Sequence, residues 1–408
     1  MMKILLLLIF FISSLSANIL QKTIDSAPFG ATIKLPSGIY EGSIVINKPL
    51  NIIGNTKDVI IDGAANSKVI TINSSNVTLE NLTIQNSGSN MHSLDSAIFI
   101  KKSKNIKINE CKILDSLYGI DMYMVENSVI SNNYITSKDY DISLRGDALK
   151  IWHSHNNLIS HNTITKSRDL NLNYSNNNQI INNNISNSRF ALKISYSKDN
   201  LIKNNIFKYN SVSLMLMMNE NSKVLNNSIL SSKGAAGIGV MLQGGSKTIF
   251  DSNTLKYNAK GIYIDSDPNE QTIKRYITNN DISYNKEAIR FHLTIRQNII
   301  TNNIFEGNID DIVKSTAGYK TMLNKVEYNY WDRYAGFDTN NDNIGDTPHK
   351  MHQYFDRLWQ HNNKVKFFYG TPIMGLLNFM AQVAPFIDPV LLLEDTKPIV
   401  NNSYSSFD

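Results

Sequence analysis

One cassette recurs eight times in succession at intervals of 21 to 29 residues: an apolar residue, two spacer positions, an asparagine, any residue and a second apolar residue. The asparagines are Asn133, Asn162, Asn183, Asn205, Asn227, Asn253, Asn280 and Asn303, and the closing apolar residues run from Ile135 to Phe305. A period of that length is the signature of a solenoid, in which no repeat can bury its own apolar side and each covers its neighbours. Such a chain offers long faces instead of one deep pocket. Function is then to be sought on a surface row, in a terminal appendage or in a partner.

Ile84 and Ile113 extend the series of closing residues upstream. Thirteen residues before these anchors stand Met122, Ile151, Leu172, Ile194, Leu216 and Leu242; fifteen before stand Ile120, Leu149, Leu170, Leu192, Leu214 and Val240. Two apolar rows separated by one position mark a strand with both rows facing inward. Every coil repeats the same path in the same direction, so the strands stack in parallel about 4.8 Å apart, and parallel crossovers wind right-handed. The expected fold is all-β, a right-handed parallel β-helix over residues 18–326, opening through short β-branched runs at 28–63 punctuated by Gly, Pro and Asn. The asparagine row is expected at left-handed turn positions, with amides hydrogen-bonded from rung to rung. Cys111 falls at the matching place one coil earlier and is expected to cap that ladder as a small buried residue.

The termini depart from the repeat. Lys3, an apolar run from Ile4 to Ile12 and the small residues Ser13 to Ala17 follow the order of a secretory signal, so residues 1–17 read as an export segment cleaved after Ser16 or Ala17. The lone Cys111 excludes an intrachain disulfide. A net charge of +5 spread over 408 residues without a basic block leaves no nucleic-acid footprint. Residues 327–408 form a C-terminal non-repeat extension. Within it Thr371 as cap and Pro372 at the first helical position open a short amphipathic helix that Pro385 should end. Its apolar residues Ile373, Leu376, Leu377, Met380 and Val383 are too few to span a bilayer and read as a partner-docking stripe.

Chemistry has three candidate places. The outward row fourteen residues before the anchors reads Asp121, Lys150, Asn171, Lys193, Met215 and Met241, and its companion two residues later reads Tyr123, Trp152, Asn173, Ser195, Met217 and Gln243. Met215, Met217 and Met241 should therefore cluster on a solvent-facing wall, as a protein-contact patch or, since thioethers suit Cu(I), as a copper site. His153 and His155 alternate at a strand end with Met124 one coil earlier, giving either a mixed copper environment or an exposed turn pair. Asp338, Asn340, Asp342, Ile344 and Asp346 resemble a calcium loop, although position 6 is Asn343 and position 12 is His349; the alternative is an Asn-rich structural turn. A glycan-cleaving β-helix needs two carboxylates roughly 5–10 Å apart across a cleft. The spaced pairs Asp139 with Asp141 and Asp265 with Asp267 read instead as solvated loop acids.

The repeats together with Asn329-Tyr330-Trp331-Asp332, Tyr334-Ala335-Gly336, Asp346-Thr347-Pro348, Asp356-Arg357-Leu358-Trp359, Ala384-Pro385-Phe386 and Leu391-Leu392-Leu393 resemble the NosD family. The likeness covers nearly all of the chain after the export segment, and departs from the family at His349, where an aromatic residue is frequent. It implies a periplasmic, non-enzymatic accessory protein in maturation of the copper-sulfur centre of nitrous-oxide reductase. It further implies copper binding and an assembly with an ABC-type ATPase and permease, through which the protein is membrane-associated, together with a copper chaperone and the reductase. The alternative from another class is a secreted β-helix polysaccharide lyase, hydrolase or carbohydrate-binding protein.

Overall fold

The computed structural model describes residues 16–234, 236–268, 274–316, 321–353, 368, 371–383 and 390–402. The chain divides into two compact units, Met1–Ile206 and Phe207–Asp408. Each is a stack of parallel coils with three short strands to a turn, so each unit carries three parallel sheets. In the first unit Leu50–Gly54, Val59–Asp62 and Ile70–Ile72 make one coil. Their residues lie beside those one coil later, Leu50 by Val77, Ile60 by Thr83 and Ile70 by Ile98. In the second unit Val212–Met217, Lys223–Leu225 and Ser228–Leu230 do the same, with Leu214 by Val240, Val224 by Phe250 and Ile229 by Leu255.

Both inward rows foreseen from spacing are buried, from Ile120 and Met122 through Leu214, Leu216, Val240 and Leu242. Each such side chain removed from water contributes roughly 1.5–3 kcal/mol, which no single coil could secure alone. The core is therefore a column of aliphatic residues running inside each stack, and the outward rows are left for surface chemistry.

The asparagine ladder runs along one corner. The Asn133 backbone N and Nδ2 donate to Asn162 Oδ1 at 3.0 and 2.9 Å, and Asn162 does the same to Asn183 Oδ1. In the second unit Asn227, Asn253, Asn280, Asn303 and Asn329 repeat the pattern. The ladder asparagines are not, however, the left-handed residues. That conformation belongs to the residue before each, Asn132, Asn182, Asn204, Asn226, Asn279 and Asn302 among them. The physical reason is a division of labour: the exposed residue makes the turn, which frees the next amide to face inward and pair. Cys111 does stand at the head of the ladder, its N donating to Asn133 Oδ1 at 2.9 Å and its Sγ 3.4 Å from Asn109 O. Burial pushes its thiol up to about 12, so it stays protonated.

Further ladders accompany the first. In the first unit Ser128, Asn157 and Asn178 donate their backbone N to Asn157, Asn178 and Asn200, and Val125, Ser154 and Ser175 donate to the hydroxyls of Ser154, Ser175 and Ser197. In the second unit Asn258, Asn285 and Asn308, each five residues after a ladder asparagine instead of five before, form a separate series at another turn.

Helix α1, Ser16–Ser26, closes the first unit's open end. Leu20 and Ile24 are buried beneath it, and the Gln21 amide both accepts from Val45 N at 2.8 Å and donates to Val45 O at 3.1 Å. One side chain thus imitates a missing strand residue and blunts the edge of strand Ile44–Ile46. The apolar run of the export segment lies outside the described residues. At the other terminus Lys325–Glu327 and Tyr330–Trp331 complete a last coil, which runs past residue 326. Beyond it His349–Gln353 pairs antiparallel with Val390–Asp395, and Thr396 to Ile399 lies against Val326 to Tyr330.

Candidate functional site

In each unit the outward face of one sheet, the one that holds Ile70–Ile72 in the first and Val212–Met217 in the second, carries varied side chains. In the second unit Met215 lies beside Met241, Met217 beside Gln243, Met241 beside Tyr263 and Tyr263 beside Arg290. The three methionines therefore share neighbouring rungs on one face. They do not form an open wall: Met215 is only 8% exposed, while Met217 and Met241 are half-buried. Met215 has Met217 two residues on along its own strand and Met241 beside it on the adjacent rung, and its burial is something that sequence spacing alone could not show. Met218, in the left-handed turn that follows, is exposed. Soft, polarisable donors half open to solvent above a buried one suit a Cu(I) ion, and no carboxylate need be desolvated to receive it.

The same face continues into groups the cassette did not reveal. The Tyr263 hydroxyl donates to Asp265 at 3.5 Å, its ring lies 6.2 Å from that of His292, and Arg290 is ion-paired with Glu287. Burial and the nearby Asp265 raise the Tyr263 hydroxyl above its ordinary value. Asp267 accepts from the Thr294 hydroxyl, so the pair Asp265 and Asp267 is divided between two partners. Asp139 is fully exposed 3.9 Å from Arg145, and Asp141 accepts from Ser143 N and Oγ. These are loop acids with local partners.

In the first unit Met124, inside strand Tyr118–Glu126, and His153, directly after strand Leu149–Trp152, are exposed left-handed residues on adjacent rungs. His153 stacks on Tyr174 at 5.2 Å, and Tyr174 stacks on Tyr196 at 5.3 Å, continuing the rung spacing. His155 behaves differently: its Nδ1 accepts from Asn176 N at 3.0 Å, leaving Nε2 to carry the proton. The left-handed turn at His153 breaks the alternation that would have sent both imidazoles to one side. Among the described residues no three His, Cys, Asp or Glu side chains converge as a metal site.

The row Asp121, Lys150, Asn171 and Lys193 is in register, and it hides an ion-pair network. Asp121 is buried and accepts from Lys150 Nζ at 3.3 Å; Arg168 donates to Asp147 at 3.2 Å, and Arg189 grips buried Asp169. Burial raises the Asp121 carboxyl, and burial with the neighbouring Asp169 pushes Asp147 up to about 6. Three acids face three bases, so the network fastens this face and is closed by its own cations.

The acidic loop is also closed on itself. Asp338 accepts from Asp342 N and Asn343 N, Asp342 from Ile344 N, and Asp346 from Thr339 N and Oγ1. Asn340 donates to Asp342, and Asn343 is tied through its amide to Asn401. Such bonds build successive Asx turns, with Asn341 and Asn343 left-handed.

Helix α2, Pro372–Val383, stands where sequence placed it, but the Thr371 hydroxyl donates back to Phe368 O instead of capping the helix. The Thr371 carbonyl accepts from Met374 N and Gly375 N. Ile373, Leu376, Leu377, Phe379, Met380 and Val383 are exposed, and Met374 is buried. At 100° per residue the exposed apolar side chains cover one broad face. The expected stop at Pro385 and the residues 356–359 lie outside the described residues. No described helix is long and apolar enough to cross a membrane.

The family model described as NosD, periplasmic copper-binding protein, matches residues 133–336. A probable ABC transporter binding protein NosD of Stutzerimonas stutzeri is 28% identical over 389 residues, covering 87% of this chain and 83% of its own. The same-named protein of Pseudomonas aeruginosa is 29% identical over 378 residues, covering 86% and 84%. Among solved structures, the A-module of mannuronan C-5 epimerase AlgE6 of Azotobacter vinelandii superposes with a TM-score of 0.55 at 14% identity, covering 76% of this chain and 93% of its own. A mannuronic acid specific family 6 lyase from human gut microbiota does so at 0.53 and 14%, covering 79% and 86%. At those identities the structural likeness speaks for the parallel β-helix alone.

Proposed function

The chain belongs to the NosD family, and from that premise we propose that it is a periplasmic accessory protein that helps mature the copper-sulfur centre of nitrous-oxide reductase. It works with an ABC-type transporter and a copper donor. The observation that carries this reading is the separation of two surfaces with different chemistry within the second unit. One is the thioether face of Met215, Met217 and Met241, suited to a soft cation passed on as cargo. The other is the exposed, uncharged face of helix α2, whose Ile373, Leu376, Leu377, Met380 and Val383 suit an apolar groove on a membrane-embedded permease. The relatives named as ABC transporter binding proteins support the second assignment.

Neither surface offers a reaction. The carboxylates that a glycan-cleaving β-helix would need are engaged in local hydrogen bonds or ion pairs, which favours the accessory role. The test is truncation from Thr371 onward in the full assembly. Loss of co-purification with the permease is expected, with the β-helix still folded by circular dichroism; unchanged co-purification rejects the docking role of the helix.

A further inference from the structure

Helix α2 is carried between two strands that together form a clasp on the end of the solenoid. His349–Gln353 and Val390–Asp395 pair antiparallel, with His349 opposite Asp395. Asp395 is buried and takes the next ladder position: its Oδ2 accepts from Asn329 N at 3.1 Å, Asn329 Nδ2 at 2.8 Å and Trp331 Nε1 at 2.9 Å, and its Oδ1 from Lys397 N at 3.0 Å. The strand that returns from the helix is thus keyed into the column that organises the coils.

The His349 ring packs into an aromatic corner, 5.4 Å from Trp331 and 5.8 Å edge-on from Tyr334, whose hydroxyl is fixed on Thr347 O at 2.7 Å. The charged and titratable groups facing it are Asp395 from the opposite strand, Asp332 and Arg333 from the turn after Trp331, and His352 from its own strand. As a neutral ring it packs as an aromatic side chain does. As an imidazolium it gains a charge and a second N–H in a half-buried place. Asp395, opposite it on the paired strand, already accepts four hydrogen bonds, three of them on Oδ2. Desolvation accordingly holds the His349 pKa below the ordinary 6.5, with Asp395 and Asp332 opposing and Arg333 and His352 reinforcing.

We propose that His349 makes this clasp acid-labile, so that helix α2 is held in its docking position at neutral pH and released on acidification. The docking half rests on the role given to the helix above; the opening of the clasp does not. The direction follows from linkage. A histidine whose folded pKa is depressed stabilises the closed state above the unfolded value, and that stabilisation is lost as pH falls through the folded value. Asp311, the nearest coil's buried carboxyl, is pushed up to about 6 and acts in the opposite sense, so it cannot mimic the effect.

The test is amide hydrogen exchange on the full chain at about pH 7.5 and about pH 5, corrected for intrinsic rates, reading peptides from His349–Gln353 and Val390–Asp395. Protection there is expected to fall between the two pH values, by at most about tenfold per pH unit, because opening lets one histidine take up a proton. His349→Phe, which keeps the packing, and His349→Gln, which removes the charge without a ring, should both abolish the fall. Unchanged protection in the wild type, or a fall that persists in both variants, overturns the proposal. An acid-dependent fall that His349 substitution removes, combined with permease co-purification indifferent to truncation at Thr371, overturns the docking half alone.

Discussion

The carboxylate of Asp395 accepts a 2.9 Å hydrogen bond from the indole of Trp331, and it occupies the place where the next asparagine of the ladder would stand. Two donors of Asn329 share the same oxygen. Asp395→Ala strands three buried N–H groups at once, each worth roughly 1–3 kcal/mol when left unpaired. We expect a destabilisation of about 3 kcal/mol or more, read by urea unfolding. Asp395→Asn, which keeps one acceptor oxygen, should lose clearly less. Equal losses would show that the carboxyl acts by charge and not by completing the ladder.

Within the first unit Asn183→Ala removes the acceptor of both Asn162 N and Asn162 Nδ2. The expected cost is roughly 2–6 kcal/mol for two orphaned donors. Its neighbour Asn182 is exposed and left-handed at φ 57, a conformation glycine adopts freely, so Asn182→Gly should stay within about 0.5 kcal/mol of wild type. Comparable losses at the two adjacent positions would contradict the separation of turn-making from pairing.

Asp147 supplies a pH signature of opposite sign to that of His349. Its carboxyl rises from an ordinary 3.8 to about 6, through burial first and Asp169 second, with Arg168 opposing. Below the unfolded value both states are protonated and nothing is lost. Stability then declines as pH rises through the folded value, to a total of roughly 3 kcal/mol at neutral pH. Asp147→Asn should therefore raise the melting temperature near neutral pH, leave it almost unchanged near pH 4, and flatten the slope between. A variant that melts earlier at neutral pH would show that the Arg168 contact outweighs the burial.

Much of this architecture was legible because the repeat carries its own ruler. Counting from the closing apolar residues put Asp121 beside Lys150 and Met215 beside Met241, as the registers have it. Helix α1 escaped, since the stretch around Ser16 and Ala17 reads as the end of an export segment and nothing periodic announces Gln21 as a strand mimic. The second asparagine ladder was written five residues from the first, at Asn157, Asn178 and Asn200, but its contrast with the abundant Asn elsewhere is low. The burial of Met215 depends on how neighbouring side chains lie, which spacing does not encode. Asp395 was illegible for a plainer reason: it meets Asn329 from 66 residues away, outside any period.

The thioether face makes a selective prediction. Replacing Met217 and Met241 together with leucine keeps the packing volume and removes two soft donors, at a stability cost below about 1.5 kcal/mol. Cu(I) affinity, measured by competition with a chromophoric chelator, should fall by at least about a hundredfold, on the order of 3 kcal/mol. Zn(II) binding should not follow. Unaltered Cu(I) affinity would move the site off this face.

The most direct measurement is the absorption spectrum of nitrous-oxide reductase purified from a strain lacking this gene. The expected reductase lacks its copper-sulfur centre and regains it when the wild-type gene is restored. A reductase carrying the full centre in the deletion strain would contradict the accessory role.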